Sequence, residues 1–322
     1  MSREALLRSI CMLKSLKFLK VNNGDLLEKL PENLGKLECL EKLYVRSKKI
    51  EYLPNSICML KCLKCLNVTY CSWLGKLPED IGQLECLEEL HLSSTKIKHL
   101  PDSICMLNNL KFLNLTLCAL LEKLPEDLGR LECLEKLHLS SKKIEYLPDS
   151  ICMLKRLKGL HVSNCSCLGK LPEDIGQLEC LEELHLSATE IKHLPDSICM
   201  LKRLKWLRLG KLPEDIGQLE SLERLDLSSR EIKHLPDSIC MLKHLKFLNL
   251  RFCALLEKLP EDLGQLECLE KLDIRDTRIS HLPQSISGLK GLHLLASSEL
   301  LQLYGFPSEI GITNMPGSHW RL

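Results

Sequence analysis

Cysteine and histidine are the residues here that could do chemistry. Eighteen cysteines and eleven histidines lie in 322 residues, and their spacing decides which chemistry is open. Cys11, Cys58, Cys105, Cys152, Cys199 and Cys240 each follow Ser-Ile; Cys39, Cys86, Cys133, Cys180 and Cys268 each sit in ECLE; Cys71, Cys118, Cys165 and Cys253 share a third slot. A thiol recurring once per repeat in one slot reads as a small buried hydrophobe, so packing residues are expected and not a disulfide framework. Cys62 and Cys65 form a CxxC with no second pair at zinc-site spacing. His138, His161 and His185 fall on three successive units, where rings about 5 Å apart could in principle share a metal ion. Duplication of one unit gives the same spacing, so three solvated histidines are expected and no metal site is assigned. The recurring Glu-Asp after Leu-Pro, as in Glu79-Asp80, resembles a carboxylate pair but reads as helix-start chemistry, with Asp102 or Ser103 as N-caps after Pro101 in the other unit type. No nucleophile-base pair stands outside the periodic pattern. Neither an enzyme nor a cofactor is expected.

The elements that position these residues are repeats. Leu-Pro recurs with its Leu at 30, 53, 77, 100, 124, 147, 171, 194, 212, 235, 259 and 282. Steps alternate between 23 and 24 residues, so two unit types repeat every 47, apart from a short unit at 194–211. The segment LPEDIGQLECLEELHLS occurs at 77–93 and again, unchanged, at 171–187. Within a unit, Leu113 and Leu115 alternate with Phe112, Asn114 and Thr116, which gives a short strand with one buried face. After Leu-Pro, the spacing of Ile104, Leu107 and Leu110 is that of a helical turn. One unit cannot bury both faces; stacked units can. The pattern therefore predicts an α/β leucine-rich-repeat solenoid, a curved horseshoe with short parallel strands on the concave face and helical turns on the convex face. The expected organisation is a partial N-terminal repeat over 1–29, about 12 units over 30–296, and a degenerate tail over 297–322. A kink is expected at 194–211. Less regular turns are expected where Lys48, Lys142 or Arg230 replaces the Cys118 or Thr95 type of residue. The chain opens in mid-unit without a polar cap, which suggests a portion of something longer.

Outward strand positions form columns. One runs through Lys42, Cys65, Glu89, Phe112, Lys136, Gly159, Glu183, Trp206, Arg224, Phe247 and Lys271. Another runs through Tyr44, Asn67, His91, Asn114, His138, His161, His185, Arg208, Asp226, Asn249 and Asp273. Exposed aromatic and arginine side chains are typical anchors of protein interfaces. Phe112, Trp206, Arg208, Phe247 and Phe252, with Tyr44 and Tyr70, form the candidate protein-binding patch. Net charge is +1, from 44 basic and 43 acidic side chains, which favours neither nucleic acid nor an anionic membrane. No apolar run of 18 residues exists, and the first twenty residues lack the layout of a signal peptide. Together with free thiols this suggests the cytosol or nucleus.

The alternating Cys-type and Thr-type units, as in Cys118/Thr95 and Cys165/Thr189, carry a resemblance. From Ile10 to about Leu295 the chain resembles the repeat region of plant nucleotide-binding leucine-rich-repeat disease-resistance proteins, the class with an N-terminal Toll-like domain. The LPxxI element is also similar to plant intracellular Ras-group repeat proteins. The resemblance implies a non-enzymatic recognition module in plant defence signalling. Its partner would be a pathogen effector or a host protein, and it would restrain a nucleotide-binding switch domain. No GxxxxGK[ST] phosphate loop is present, so nucleotide binding is not carried over. The alternative that the resemblance leaves is a stand-alone scaffold holding a GTPase or phosphatase.

Overall fold

The computed structural model describes residues 3–24, 27–210, 212, 214–227 and 229–305. Among these residues, thirteen short strands form one parallel sheet in chain order: β1 (Phe18–Gly24), β2 (Lys42–Ser47), β3 (Cys65–Asn67), β4 (Glu89–His91), β5 (Phe112–Leu115), β6 (Lys136–Leu139), β7 (Gly159–Val162), β8 (Glu183–Leu186), β9 (Trp206–Leu209), β10 (Arg224–Asp226), β11 (Phe247–Asn249), β12 (Lys271–Asp273) and β13 (His293–Leu295). Each inward leucine pairs with the equivalent leucine one unit on, as Leu90, Leu113, Leu137, Leu160 and Leu184 do, and all five are fully buried. Burying a leucine contributes about 1.5–3 kcal/mol, and each unit buries its own only against its neighbours.

The convex layer consists of 3-10 turns. Proline begins the longer ones: Pro101 is extended (φ −65°, ψ 144°), and its carbonyl accepts the Ile104 N–H at 3.0 Å. Asp102 and Ser103 do not cap this turn, and Asp80 does not cap its own; neither turn has a side-chain cap bond. Ser103 instead reaches the preceding unit, donating to the Glu79 carbonyl and accepting the Gly82 N–H at 3.3 Å. Ser150 meets Gly129, and Ser197 meets Gly176, in the same way, both at 3.1 Å. The glycine is obligatory because a Cβ on Gly82 or Gly129 would lie 2.2 Å from the serine carbonyl oxygen.

The polar slot after each strand takes two forms. Cys118 donates to the Leu92 carbonyl of the previous unit (3.2 Å), whereas Thr95 donates to the same carbonyl within its own unit (2.8 Å). In seven such units the preceding residue is left-handed: Tyr70, Ser94, Leu117, Asn164, Ala188, Phe252 and Asp276. The lysine units solve the problem differently. Lys48 and Lys142 are exposed, while Ser47 and Ser141, one residue earlier, are buried and donate to the Leu27 and Leu121 carbonyls at 2.5 and 2.6 Å. These turns are satisfied by a neighbouring hydroxyl.

Through the short unit, Trp206, Leu207 and Arg208 pair in register with Arg224, Leu225 and Asp226. The strand ladder is continuous there; Lys211 and Pro213 lie outside the described residues. Helix α1 (Arg3–Ile10) precedes β1, and Leu7 and Cys11 join the core. Within the segment expected as a degenerate tail, Ser298–Leu303 forms helix α2, with Ser297 as N-cap and Leu300 and Leu301 buried; residues 306–322 lie outside the described residues. No helix among the described residues is long and apolar enough to cross a membrane.

All eighteen cysteines carry free thiols. The expectation that every repeated thiol packs is corrected at the ECLE column. Cys39, Cys86 and Cys268 are exposed, because the flanking leucines of each segment, such as Leu84 and Leu87, take the inward positions. Cys199, of the short unit, is exposed as well. Its equivalents Cys58, Cys105, Cys152 and Cys240 are buried, and burial pushes their thiols up to about 11.

Two outcomes follow. Gly129→Ala places a methyl against the Ser150 carbonyl and is expected to cost about 1–3 kcal/mol, seen as a lower urea midpoint; an unchanged midpoint contradicts the close-approach argument. Iodoacetamide at pH 8 should modify at most the six exposed and two half-buried thiols of the native chain. The ten buried ones should react only after unfolding, as intact mass would show.

Candidate protein-binding face

The outward columns meet as the sequence spacing orders them. Lys42, Cys65, Glu89, Phe112, Lys136, Gly159, Glu183 and Trp206 are successive Cα partners. The neighbouring column passes through His91, Asn114, His138, His161, His185 and Arg208. Strands about 4.8 Å apart bring each outward ring within reach of the next. Phe112 is edge-on to His91 and His138 at 5.1 and 4.8 Å. His138 stacks on His161 at 4.3 Å, and His161 on His185 at 3.9 Å, with planes 10° and 12° apart. Trp206 then meets His185 edge-on at 4.5 Å. The Arg224 guanidinium lies over both Trp206 (4.6 Å) and Phe247 (4.4 Å). The result is an unbroken ribbon of rings and cations from β4 to β11.

This arrangement corrects the picture of solvated histidines. His185 is only 6% exposed; His161 is stacked on both faces, and His138 and His185 are each stacked on one. Burial first, then neighbouring positive groups, lowers their proton affinity. His138 is brought down to about 4 and His185 to about 3. His161 is lowered by burial too, opposed by its bond to Glu183 (Nε2 to Oε2, 3.1 Å). The stack is neutral at pH 7. Packing likewise leaves Phe112, Trp206 and Phe247 half-buried where exposure was expected.

The structure gathers Phe112, Trp206, Arg208 and Phe247 along this ribbon, with Arg208 3.9 Å from the Asp226 carboxylate. It sets the other candidates apart. Tyr44 meets Phe18 at 5.4 Å and, with Tyr70, Lys20 and Arg46, lines a depression of about 240 Å³ at the β1–β3 end. Tyr70 and Phe252 ride on the left-handed turn residues, 48% and 47% exposed, each beneath an arginine (Arg46 and Arg251, at 4.7 and 4.4 Å). Leu117 holds the same turn position, 57% exposed. Sequence reasoning missed it, and also missed that His91 and Arg224 tie the aromatics together. The columns contained both residues; the ring contacts were not legible in them.

The stack makes stability pH-dependent in a defined direction. An unfolded histidine titrates near 6.5, above the folded values. On acidification the unfolded chain therefore takes up protons first, and stability is lost from about pH 6.5 down to the folded values of 4 and 3. Each histidine should steepen that loss by up to about 1.4 kcal/mol per pH unit. Urea unfolding in EDTA buffer between pH 7.5 and 4.5 should show a flatter profile for His138→Asn than for the parent; parallel profiles contradict this account.

The profile of the leucine-rich repeat region family matches residues 1–76, 165–229 and 233–316. No match is found among curated proteins. The chain is 33% identical to a leucine-rich repeat protein of Leptospira interrogans, over 93% of this chain and 79% of that one, with a TM-score of 0.77. It is 32% identical to the leucine-rich repeat domain of the type III effector XopL, over 63% and 73%, at 0.54. An internalin of Listeria monocytogenes, InlF, shares the fold at 18% identity, over 91% and 89%, at 0.65. Thirteen strands in one open parallel sheet, 3-10 turns behind them and these matches agree: the chain belongs to the leucine-rich repeat region family.

Proposed function

We propose that the chain is the ligand-recognition module of an intracellular immune receptor of the plant type, binding a protein partner on its concave face. The observation that carries the reading is the ribbon from His91 to Phe247, in which Phe112, Trp206 and Phe247 are held in place by their neighbours. Rings already fixed lose little freedom on binding, and such anchors dominate interface energetics. A pathogen effector or a host protein is the class of partner. Tyr44, Tyr70 and Phe252 extend the face toward its two ends, and Arg208 supplies a charged contact beside Trp206. The restrained element would be a nucleotide-binding switch domain. Free thiols throughout suit a reducing compartment, the cytosol or nucleus.

The Cys and Thr slots, each behind a left-handed turn residue in seven units, favour this reading over a Ras-group scaffold, because the LPxxI element is common to both. Proximity labelling in the native cell tests it. Trp206→Ala combined with Phe247→Ala should remove the main labelled protein, since loss of an interface anchor costs about 2 kcal/mol or more. Met106→Ala on the convex side should retain it. A partner kept equally by both variants overturns the concave-face reading. A partner captured only in its GTP-bound form overturns the immune-receptor reading in favour of the scaffold.

A further inference from the structure

Ligating side chains converge on the concave face where β7 meets β8. His161 Nε2 lies 3.1 Å from Glu183 Oε2. One donor atom from each of His161, Glu183 and His185 lies within 4.8 Å of the others. His185 is 6% exposed, and its Nε2 is buried without a hydrogen-bond partner. Buried polar atoms are nearly always paired, so an unmet imidazole nitrogen beside a carboxylate and a second imidazole asks for a partner that those three donors would share. We infer that His161, Glu183 and His185 form a binding site for a divalent transition ion of the zinc class, with the remaining coordination position open to solvent past Glu183.

The donor set fits that ion. Two imidazoles and one carboxylate suit zinc, cobalt or nickel better than calcium or magnesium. With bonds near 2.0–2.1 Å, tetrahedral ligands stand about 3.4 Å apart, close to the present His161–Glu183 separation. The remaining adjustment falls on the stacked pair. Their planes lie 12° apart at 3.9 Å, and an imidazole lone pair lies in its ring plane, so both rings must turn out of the stack to converge on a single ion. That turn gives up part of the ring contacts with His138, at 4.3 Å, and Trp206, at 4.5 Å, which weakens binding. Lys136, Arg208 and Arg224 face the histidines and oppose a dication, so micromolar affinity is expected and not the tighter binding of a structural zinc centre.

A second group, Cys65, Glu89 and His91, also has donors within 4.8 Å of one another. Its members satisfy each other: Cys65 Sγ lies 3.8 Å from Tyr44 Oη and 3.6 Å from Glu89, and His91 Nε2 lies 3.2 Å from Glu89. No donor there is left unmet, so it serves as the control.

The test is cobalt(II) titration of the full chain carrying Cys65→Ser, with exposed thiols blocked by iodoacetamide. The expected result is one bound equivalent with visible d–d absorption and no sulfur-to-cobalt charge-transfer band. Glu183→Gln and His185→Ala should each weaken binding at least about tenfold, while His91→Ala leaves it unchanged. Glu183 is half-exposed, so Glu183→Gln keeps the fold even where His185→Ala disturbs it, and circular dichroism checks both. Zinc should raise the melting temperature of the parent and not that of Glu183→Gln. Unchanged cobalt affinity in Glu183→Gln, a sulfur band, or loss of binding in His91→Ala overturns the site. The readout is independent of any protein partner, so it stands or fails apart from the recognition role proposed above.

Discussion

The approach of a glycine to a serine one unit on is the contact on which the rest of the structure depends. Gly82 comes so near the Ser103 carbonyl that only a hydrogen fits, and the Ser103 hydroxyl closes the gap by bonding the Gly82 N–H and the Glu79 carbonyl. On the opposite face the buried leucines pair strand to strand. Together the two contacts fix the distance and register between units. Neither exists within a unit, so the array is stable only as a stack, as a one-dimensional assembly requires.

That fixed spacing dictates the chemistry of the concave face. Outward side chains recur at the strand separation, which is close to the contact distance of two aromatic rings. A ring in one column therefore touches the ring on the next strand, and a run of rings removes itself from water. His138, His161 and His185 illustrate the consequence: positions that would titrate normally in isolation are held neutral by the rings on either side. Arg224 does the same for cation–π contact, lying over both Trp206 and Phe247 because it sits on the strand between them. A preformed, partly dehydrated surface is the product of periodicity before it is the product of any particular ligand.

Periodicity is also what made the fold legible. Leu113 and Leu115 alternate, Leu-Pro marks each turn, and the 23- and 24-residue steps give the strand register outright. What stayed hidden was anything set by a neighbouring unit. The serine of DSIC has the composition of an N-cap, yet its hydroxyl serves the preceding unit, and sequence alone gives no reason to prefer the partner more than twenty residues away. At Lys48 the sequence implied a side chain reaching solvent and left the turn without a donor; the adjacent Ser47 supplies the bond, to a carbonyl of the preceding unit. The candidate patch was legible as a column, but its division into a central ribbon and separate groups around Tyr44 and Phe252 depends on side-chain contacts. The ECLE thiols were misread because recurrence was taken for burial, and recurrence marks the outer face of a repeat as faithfully as its core.

The duplicated strands make the same point about function. Glu89-Leu90-His91 and Glu183-Leu184-His185 are identical strands within identical segments, 77–93 and 171–187, yet their surroundings differ. Ahead of the first stand Cys65 and Asn67; ahead of the second stand Gly159 and His161. In the first, the cysteine, carboxylate and imidazole close on one another. In the second, the missing side chain at Gly159 and the ring of His161 produce a stack and leave a buried nitrogen unmet. A substitution in one unit thus changes the chemistry of the next without altering a residue of it. Sites in such an array belong to the junctions between units, so near-identical repeats can carry distinct chemistry wherever two neighbours differ at facing positions.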